Sequence, residues 1–96
     1  MKVEILTAAE SEFIESILYL NKQHEGLGDE FAMEIKRTIT RIICFPNAWT
    51  KLSSRTHRCR TKRFPYAIIY QVRGEIILIV AIMHLRRRPD LWKSRV

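Results

Sequence analysis

The residues of this chain that could do chemistry are mostly bases, and they form two groups. In the first, Arg58, Arg60 and Lys62 alternate with other residues and so share one face of an extended segment. The second is the run from Arg86 to Arg88, just after an apolar stretch. If both segments belong to one sheet, the two groups lie close together. Other residues that could join the same surface are Arg63, Arg73, His57 and His84.

Two interpretations of this concentration of positive charge remain open. Many arginines with few nearby acids favour the binding of phosphates or of an acidic protein. Basic residues also protect an exposed edge strand from pairing with other chains, and that purpose requires no ligand. The candidate binding residues are Arg58, Arg60, Lys62, Arg63, Arg86, Arg87, Arg88 and Trp92.

His84 raises the possibility of a nuclease. Cleavage of RNA without a metal needs a base for the 2′-hydroxyl, an acid for the leaving oxygen and cations for the developing charge. His84 could be the base or the acid, and Arg86 or Arg60 could stabilise the charge. The alternative is a structural role, which is the more common one for a lone histidine at a strand end. No paired carboxylates lie near His84 in the sequence, which disfavours a two-metal nuclease.

The cysteines and aromatic residues give weaker signals. Cys44 and Cys59 have no spacing to the histidines that is typical of a zinc site, and we expect both in the core. Tyr66, Tyr70 and Trp92 could stack on nucleic-acid bases. However, Tyr70 lies in an apolar stretch that predicts burial, and Trp92 could simply hold the carboxy-terminal segment in place. We predict no metal and no cofactor, since the chain has no glycine-rich phosphate loop and no Ser-His-Asp arrangement.

The formal net charge of +7 is divided unevenly along the 96 residues. Residues 1–34 carry two bases and eight acids, a charge of −6, whereas residues 35–96 carry fifteen bases and two acids, a charge of +13. The length predicts one domain over residues 1–96. A hydrophobic content of 47% with three Gly and three Pro argues against a disordered chain.

Several other classes of protein are also disfavoured. Two cysteines are too few for the disulfide framework of a small secreted domain. Acids from Glu4 onward argue against a signal peptide. The longest apolar run, Ile76 to Met83, is far shorter than the roughly 18 residues of a membrane helix. We therefore expect a soluble cytosolic protein.

The elements that position the bases begin with a strand over residues 1–6 and two amphipathic helices. Thr7 and Glu10 match a capping box and predict a helix from Ala8. The residues of its predicted buried stripe are Phe13, Ile14, Ile17 and Leu18. Glycines break the helix at residues 25–28. A second helix is predicted from Asp29 to Phe45, with Lys36, Arg37 and Arg41 on its outer side and Pro46 after it. The residues of its predicted buried face are Phe31, Ala32, Ile35, Ile39, Ile42 and Ile43. Together they form a helical hairpin.

Residues 47–57 are predicted to be a polar loop in which Trp49 folds back on the core. Three strands follow, at residues 58–62, 67–72 and 76–83, and Gly74 supplies the positive φ of a tight hairpin between the last two. The order β-α-α-β-β-β predicts an α+β fold in which the helical hairpin packs on one face of a small, mainly antiparallel sheet.

This order and two motifs resemble the RelE/ParE toxin superfamily of bacterial type II toxin–antitoxin systems. The motifs are Phe64-Pro65-Tyr66 leading into a strand and a closing His84-x-Arg86-Arg87-x-Pro89-x-x-Trp92-x-x-Arg95. The resemblance covers nearly the whole chain. It implies a growth-inhibiting toxin whose partner is a small antitoxin with a carboxy-terminal segment that wraps the toxin.

The superfamily has two branches of activity: RelE-like members cut messenger RNA on the ribosome, and ParE-like members inhibit DNA gyrase. By resemblance, Arg58, Arg60 and Arg86 match basic residues of the nucleases. Ala67, however, stands where those nucleases have an arginine, and Trp92 stands where they have a catalytic tyrosine. The closing His-x-Arg-Arg pattern is more similar to the ParE branch.

The leading hypothesis is therefore a ParE-like toxin that inhibits gyrase and is neutralised by a cognate antitoxin with an acidic or amphipathic carboxy-terminal segment. The first alternative is a ribosome-dependent mRNA endonuclease that uses Arg58, Arg60, His84 and Arg86. The second is a non-toxic module that binds nucleic acid through its basic face, although it leaves the two motifs unexplained.

Overall fold

The computed structural model describes residues 1–87 and 90–96 and shows two helices packed on a five-stranded sheet. The helices are α1 (Thr7–Gln23) and α2 (Leu27–Cys44). The strands are β1 (Lys2–Ile5), β2 (Thr50–Lys51), β3 (Thr56–Arg60), β4 (Tyr66–Arg73) and β5 (Ile76–His84), and a 3₁₀ helix follows at Leu91–Arg95. The predicted α+β fold is confirmed, with β2 as one added short strand.

The sheet has the strand order β1-β5-β4-β3-β2. β1 runs parallel to β5, and the other neighbours are antiparallel. Gly74 makes the tight β4–β5 hairpin with a φ of 60°, as predicted. Pairing of Tyr66 with His84 places the start of β4 beside the end of β5, so the basic residues that follow β5 lie near the β3–β4 connection.

β4 and β5 are covered on both faces, which explains their near-continuous apolar sequence. On the helix side, the core contains Phe31, Ile35, Ile42, Ile68, Tyr70 and Ile79 among others. On the opposite face, which we call the second face, a smaller cluster contains Ile69, Leu78, Val80, Ala81, Met83 and Trp92. The second face is therefore partly covered by the 3₁₀ helix, because Trp92 lies in that helix and packs in the cluster.

The predicted capping box at the start of α1 is wrong. Thr7 is already helical, the cap position is Leu6, and no side chain makes a cap hydrogen bond. The Leu6 carbonyl accepts the first helical hydrogen bond, from the Glu10 N–H at 3.0 Å. Leu6 also packs against both core clusters, so burial of this leucine sets where the helix begins.

The apolar faces of the helices are narrower than predicted. Phe13 and Ile17 pack against the core, but Ile14 and Leu18 are 50% and 59% exposed. The buried face of α1 turns instead toward Ala9, which is fully buried. In α2, Phe31, Ile35 and Ile42 are buried as predicted, whereas Ile43 and Cys44 are exposed at the end of the helix. The prediction of a core position for Cys44 is therefore wrong.

α2 begins two residues earlier than predicted because Gly28 belongs to the contact with α1. A Cβ atom at Gly28 would collide with the Ile17 carbonyl oxygen. The Gly28 N–H donates to the Asn21 side-chain oxygen at 2.7 Å. Gly26, with a φ of 82°, makes the turn between the helices. The two glycines therefore act differently, one through its backbone angle and the other through its lack of a side chain.

The segment predicted as a loop contains β2 and the start of β3. Trp49 packs against the helix-side core as predicted, and the Arg41 guanidinium lies 5.5 Å from the centre of its ring. Arg41 is half-buried rather than on the outer side of α2, since it also donates to the Arg60 carbonyl oxygen at 3.2 Å. The Tyr70 hydroxyl donates to the Pro46 carbonyl oxygen at 2.6 Å, which holds this segment on the sheet.

Candidate functional site

Alternation along β3 places Arg58 and Arg60 on the second face. Their neighbours His57 and Cys59 are buried on the opposite, helix side. Arg58 pairs in register with Ile69, and Arg60 pairs with Ala67. Arg60 is exposed and Arg58 is half-buried. The predicted separation of bases from Cys59 is confirmed, and it follows from the two-residue repeat of a strand.

The second group of bases lies in a turn directly after β5. Arg86 and Arg87 are exposed, as expected. The backbone N–H of Arg86 donates to Nδ1 of His84 at 3.0 Å, and that of Arg87 donates to the His84 carbonyl oxygen at 3.0 Å. These two bonds hold the turn against the end of the strand. Arg88, the third base of the run, lies outside the described residues.

The two groups meet on the second face. Arg58 and Arg87 both line a hollow of about 70 Å³ whose floor includes Ala67, Ile69 and Met83. We call Arg58, Arg60, Arg86 and Arg87 the basic surface. None of the ion pairs found within residues 1–87 and 90–96 involves these four arginines. The basic surface therefore carries positive charge without an internal ion pair in the part of the chain that the structure describes.

Lys62 and Arg63 lie in the turn that follows β3, and α2 holds this turn. The backbone N–H of Lys62 donates to the Glu34 carboxylate at 2.9 Å, while Lys62 itself is exposed. The Arg63 guanidinium pairs with Glu30 at 2.6 Å and lies over the Phe64 ring. Arg63 therefore contacts the helix side and does not join the basic surface, contrary to the prediction.

His57 and Arg73 are also absent from the basic surface. The His57 ring is buried and stacks on Tyr70 with centroids 5.3 Å apart. Burial, together with the charge of Lys51, lowers the pKa of His57 below its ordinary value of 6.5. Arg73 lies at the hairpin end of β4, where it donates to the Gln71 side chain at 2.9 Å. The prediction that both could join this surface is therefore wrong.

Three of the four residues of the nuclease alternative, His84, Arg60 and Arg86, are not on one face of the sheet. His84 pairs with Tyr66 in register, and its ring packs edge-on against that of Tyr66 on the helix side. Arg60 lies on the second face, and Arg86 lies in the turn between them. His84 lines a groove of about 380 Å³ beside α1, together with Glu12, Glu15, Tyr19 and Arg87. The structure thus brings His84 near Arg86 and Arg87 but separates it from Arg60.

The three aromatic candidates for base stacking are buried. Tyr66 and Tyr70 are 6% and 0% exposed, and both belong to the helix-side core. Burial raises the pKa of Tyr70 well above its ordinary value, so its hydroxyl stays protonated. Trp92 is 7% exposed and packs on the second face. Trp92 therefore holds the 3₁₀ helix against the sheet, and in this position its ring is not available to contact a partner.

Two residues that support the basic surface, Arg95 of the closing motif and Glu12, were given no role by the sequence. Arg95 and Glu12 form a bidentate ion pair, with nitrogen–oxygen distances of 2.8 and 3.0 Å. Arg95 also donates to the Val80 carbonyl oxygen, and Glu12 accepts from the Ile82 N–H. The pair joins the 3₁₀ helix to α1 and to the part of β5 that extends beyond its pairing with β1. The available signal was Glu12 itself, an acid next to the core residue Phe13.

No group of three His, Cys, Asp or Glu side chains in the described parts of the chain is arranged to hold a metal ion. Among the same residues, neither helix is long and apolar enough to span a membrane. Cys44 and Cys59 are both free thiols, and burial raises the pKa of Cys59.

A known protein family matches nearly the whole chain. The family model described as the ParE toxin of the type II toxin–antitoxin system parDE matches residues 3–89. This chain belongs to the ParE toxin family. The match covers both groups of bases and confirms the ParE side of the superfamily. Membership makes the chain the toxin component of a type II system and implies an antitoxin as its partner.

A solved structure gives the same fold. A chain from the structure described as a chromosomal ParDE toxin–antitoxin system from P. aeruginosa superposes with a TM-score of 0.76 at 12% identity. The superposition covers 88% of this ParE-family chain and 95% of the other. At that identity the likeness supports the fold alone. No curated protein sequence matches the chain.

Proposed function

We propose that this ParE-family toxin inhibits DNA gyrase and that its cognate antitoxin neutralises it by covering the basic surface. The observation that carries the proposal is that the two groups of bases meet where Arg58 and Arg87 line one hollow, and that no arginine of the basic surface has an ion pair among the described residues. Positive charge that is not compensated within the protein attracts an acidic partner and accelerates its association. Family membership supports an antitoxin as that partner.

The position of His84 supports gyrase inhibition over RNA cleavage. A metal-free nuclease needs its proton-transfer groups and its charge-stabilising cations around one phosphate. His84 and Arg60 lie on opposite faces of the sheet, and Nδ1 of His84 is already the acceptor for the Arg86 N–H. Ala67 and Trp92 add no proton donor or base, and Trp92 is buried.

The direct test is expression of the chain without its antitoxin in bacteria, with growth, the DNA-damage response and transcript ends followed together. We expect growth arrest, induction of the damage response and trapped gyrase–DNA complexes. Breaks in messenger RNA at defined codon positions would instead establish the endonuclease alternative. Unimpaired growth at confirmed expression would contradict both toxin hypotheses and leave the nucleic-acid-binding module.

The role of the basic surface is tested by the double variant Arg86→Ala/Arg87→Ala. Both side chains are exposed, so the variant should unfold at nearly the same temperature as the wild type. We expect it to lose growth inhibition, antitoxin binding or both. Lys36→Ala/Arg37→Ala is the matched control, because it removes the same charge from exposed positions on α2. Equal loss in the control would mean that net charge matters rather than this surface.

A further inference from the structure

The hollow on the second face exists because a small residue lies among long ones. Ala67 lies between Arg60 on β3 and Met83 on β5 in the sheet register. Its side chain ends at Cβ, so the floor formed with Ile69 and Met83 lies below the arginine side chains. The volume is about 70 Å³, which is more than one water molecule needs. Only a small group fits inside.

The rim of the hollow is positive. Arg58 and Arg87 both line it, and none of the described residues that line it is acidic. Neither arginine has an ion pair among the described residues. A carboxylate placed between two guanidinium groups accepts charge-assisted hydrogen bonds, which are stronger than neutral ones. The hollow thus combines a small apolar floor with two arginines that have no ion pair in the described part of the chain.

These features fit the side chain of an acidic residue better than a nucleic acid. The methylene groups of a glutamate or aspartate can contact Ala67 and Met83 while the carboxylate meets Arg58 and Arg87. Proteins that hold single-stranded nucleic acid add aromatic rings on which bases stack. Here Tyr66 and Tyr70 belong to the helix-side core and Trp92 is buried, so none of the described residues that line the hollow supplies such a ring.

We propose that this hollow is the binding site of one glutamate or aspartate side chain of the antitoxin. The inference rests on the proposed neutralisation by an antitoxin and adds the chemistry of a single anchoring contact. The carboxylate pairs with the guanidinium groups of Arg58 and Arg87, so one acidic residue joins the two groups of bases. Arg58 then determines specificity through the planar geometry of its guanidinium as well as its charge.

Two substitutions separate the shape of the hollow from its charge. Ala67→Val fills part of the hollow, keeps every charge and suits a strand. Arg58→Lys keeps the positive charge and removes the planar guanidinium, whose N–H donors match the geometry of a carboxylate. The matched controls are Ala8→Val and Arg55→Lys, which make the same changes at exposed positions on α1 and in the β2–β3 connection. Thermal unfolding of all four variants establishes that each is folded before binding is measured.

The experiment is calorimetric titration of the full chain with the antitoxin encoded by the adjacent reading frame. We expect Ala67→Val and Arg58→Lys each to weaken binding at least tenfold, and the controls to change it less than twofold. One Glu→Gln or Asp→Asn substitution in the antitoxin should cause a similar loss. Combined with Arg58→Lys, it should cause little further loss, because both changes remove the same contact.

Three outcomes would overturn the inference, and they are distinguishable. If the wild type binds the antitoxin and the folded variants bind it equally well, the hollow is not the binding site of an acidic side chain. The proposed function then still stands. If the wild type binds no antitoxin, the proposed neutralisation is contradicted, and so is the proposed binding site in the hollow. If Ala67→Val instead weakens binding of a single-stranded oligonucleotide in parallel titrations, the occupant is a nucleic acid.

Discussion

At the scale of single residues, neighbours along β3 have opposite environments. His57 and Cys59 are buried against Tyr70 and the helices, whereas Arg58 and Arg60 face away from them. A strand turns successive side chains to opposite faces, so a shift of one residue would bury two arginines and expose the histidine and the thiol. The chemistry of each side chain follows from this alternation.

The burial of His57 predicts a pH-dependent stability. Because the folded protein lowers the pKa of His57, the unfolded chain binds a proton more readily below the ordinary pKa of 6.5. The free energy of unfolding should therefore fall as the pH drops below 6.5, by at most about 1.4 kcal/mol per pH unit for this group. Urea unfolding between pH 5 and 7.5 measures it. His57→Phe keeps a ring stacked on Tyr70 and should show a shallower slope; identical slopes would contradict the assignment.

The two thiols should differ sharply in reactivity. Cys44 is exposed at the end of α2, whereas Cys59 is buried and its pKa is raised. The thiolate is the reactive form, so a disulfide reagent should label one thiol in the native protein and two in urea. Cys44→Ser should abolish the fast reaction. Rapid labelling of that variant under native conditions would mean that Cys59 is accessible.

At the scale of elements, the helical hairpin depends on one close approach. Gly28 lies where α2 begins, against the Ile17 carbonyl oxygen and the Asn21 side chain of α1. This contact positions α2, whose residues Glu30 and Glu34 bind the turn after β3. The hairpin therefore positions the turn at the end of the strand that carries Arg58 and Arg60.

Gly28→Ala should destabilise the protein by about 1–3 kcal/mol, since the added methyl group meets backbone that cannot move freely. Gly26→Asn is the control, because asparagine tolerates the positive φ and a Cβ there meets nothing within 4 Å. Its expected effect is below about 1 kcal/mol. Urea unfolding compares the two, and an equal loss in both would contradict the close-contact explanation.

At the scale of the whole molecule, the ion pair of Glu12 with Arg95 joins segments 83 residues apart. It links α1 to the 3₁₀ helix. Its two side chains also form hydrogen bonds with the Ile82 N–H and the Val80 carbonyl oxygen of β5. Its side chains are 12% and 19% exposed, so solvent screens the pair only partly. The pair also holds the helix that carries Trp92 against the second face, close to the turn with Arg86 and Arg87.

A double-mutant cycle with Glu12→Gln and Arg95→Met should give single losses of about 2 kcal/mol and a coupling of about 1–2 kcal/mol. The exposed Glu30–Arg63 pair is the matched control, with side chains 50% and 58% exposed. Its coupling should be below about 1 kcal/mol. Equal couplings in the two cycles would show that burial does not strengthen the inner pair.

The sequence predicted local features well and long-range ones poorly. Gly74, the apolar strands and the alternation of Arg58 with Cys59 depend on near neighbours, and the structure confirms them. The width of the buried stripe on α1 was wrong at Ile14 and Leu18, because exposure depends on how much of the helix other elements cover. The start of α1 was wrong because burial of Leu6 outweighed a local capping pattern.

The sequence by itself determined the order of the elements, the two groups of bases and, through its motifs, the family. Only the tertiary structure decided that Arg58 and Arg87 share one hollow, that Arg63 pairs with Glu30 instead, and that His84 and Arg60 lie on opposite faces. The physical reason is that spacing along the chain determines which face of its own element a residue occupies. Which elements adjoin that face depends on strand register and helix packing, and these depend on contacts across the whole chain.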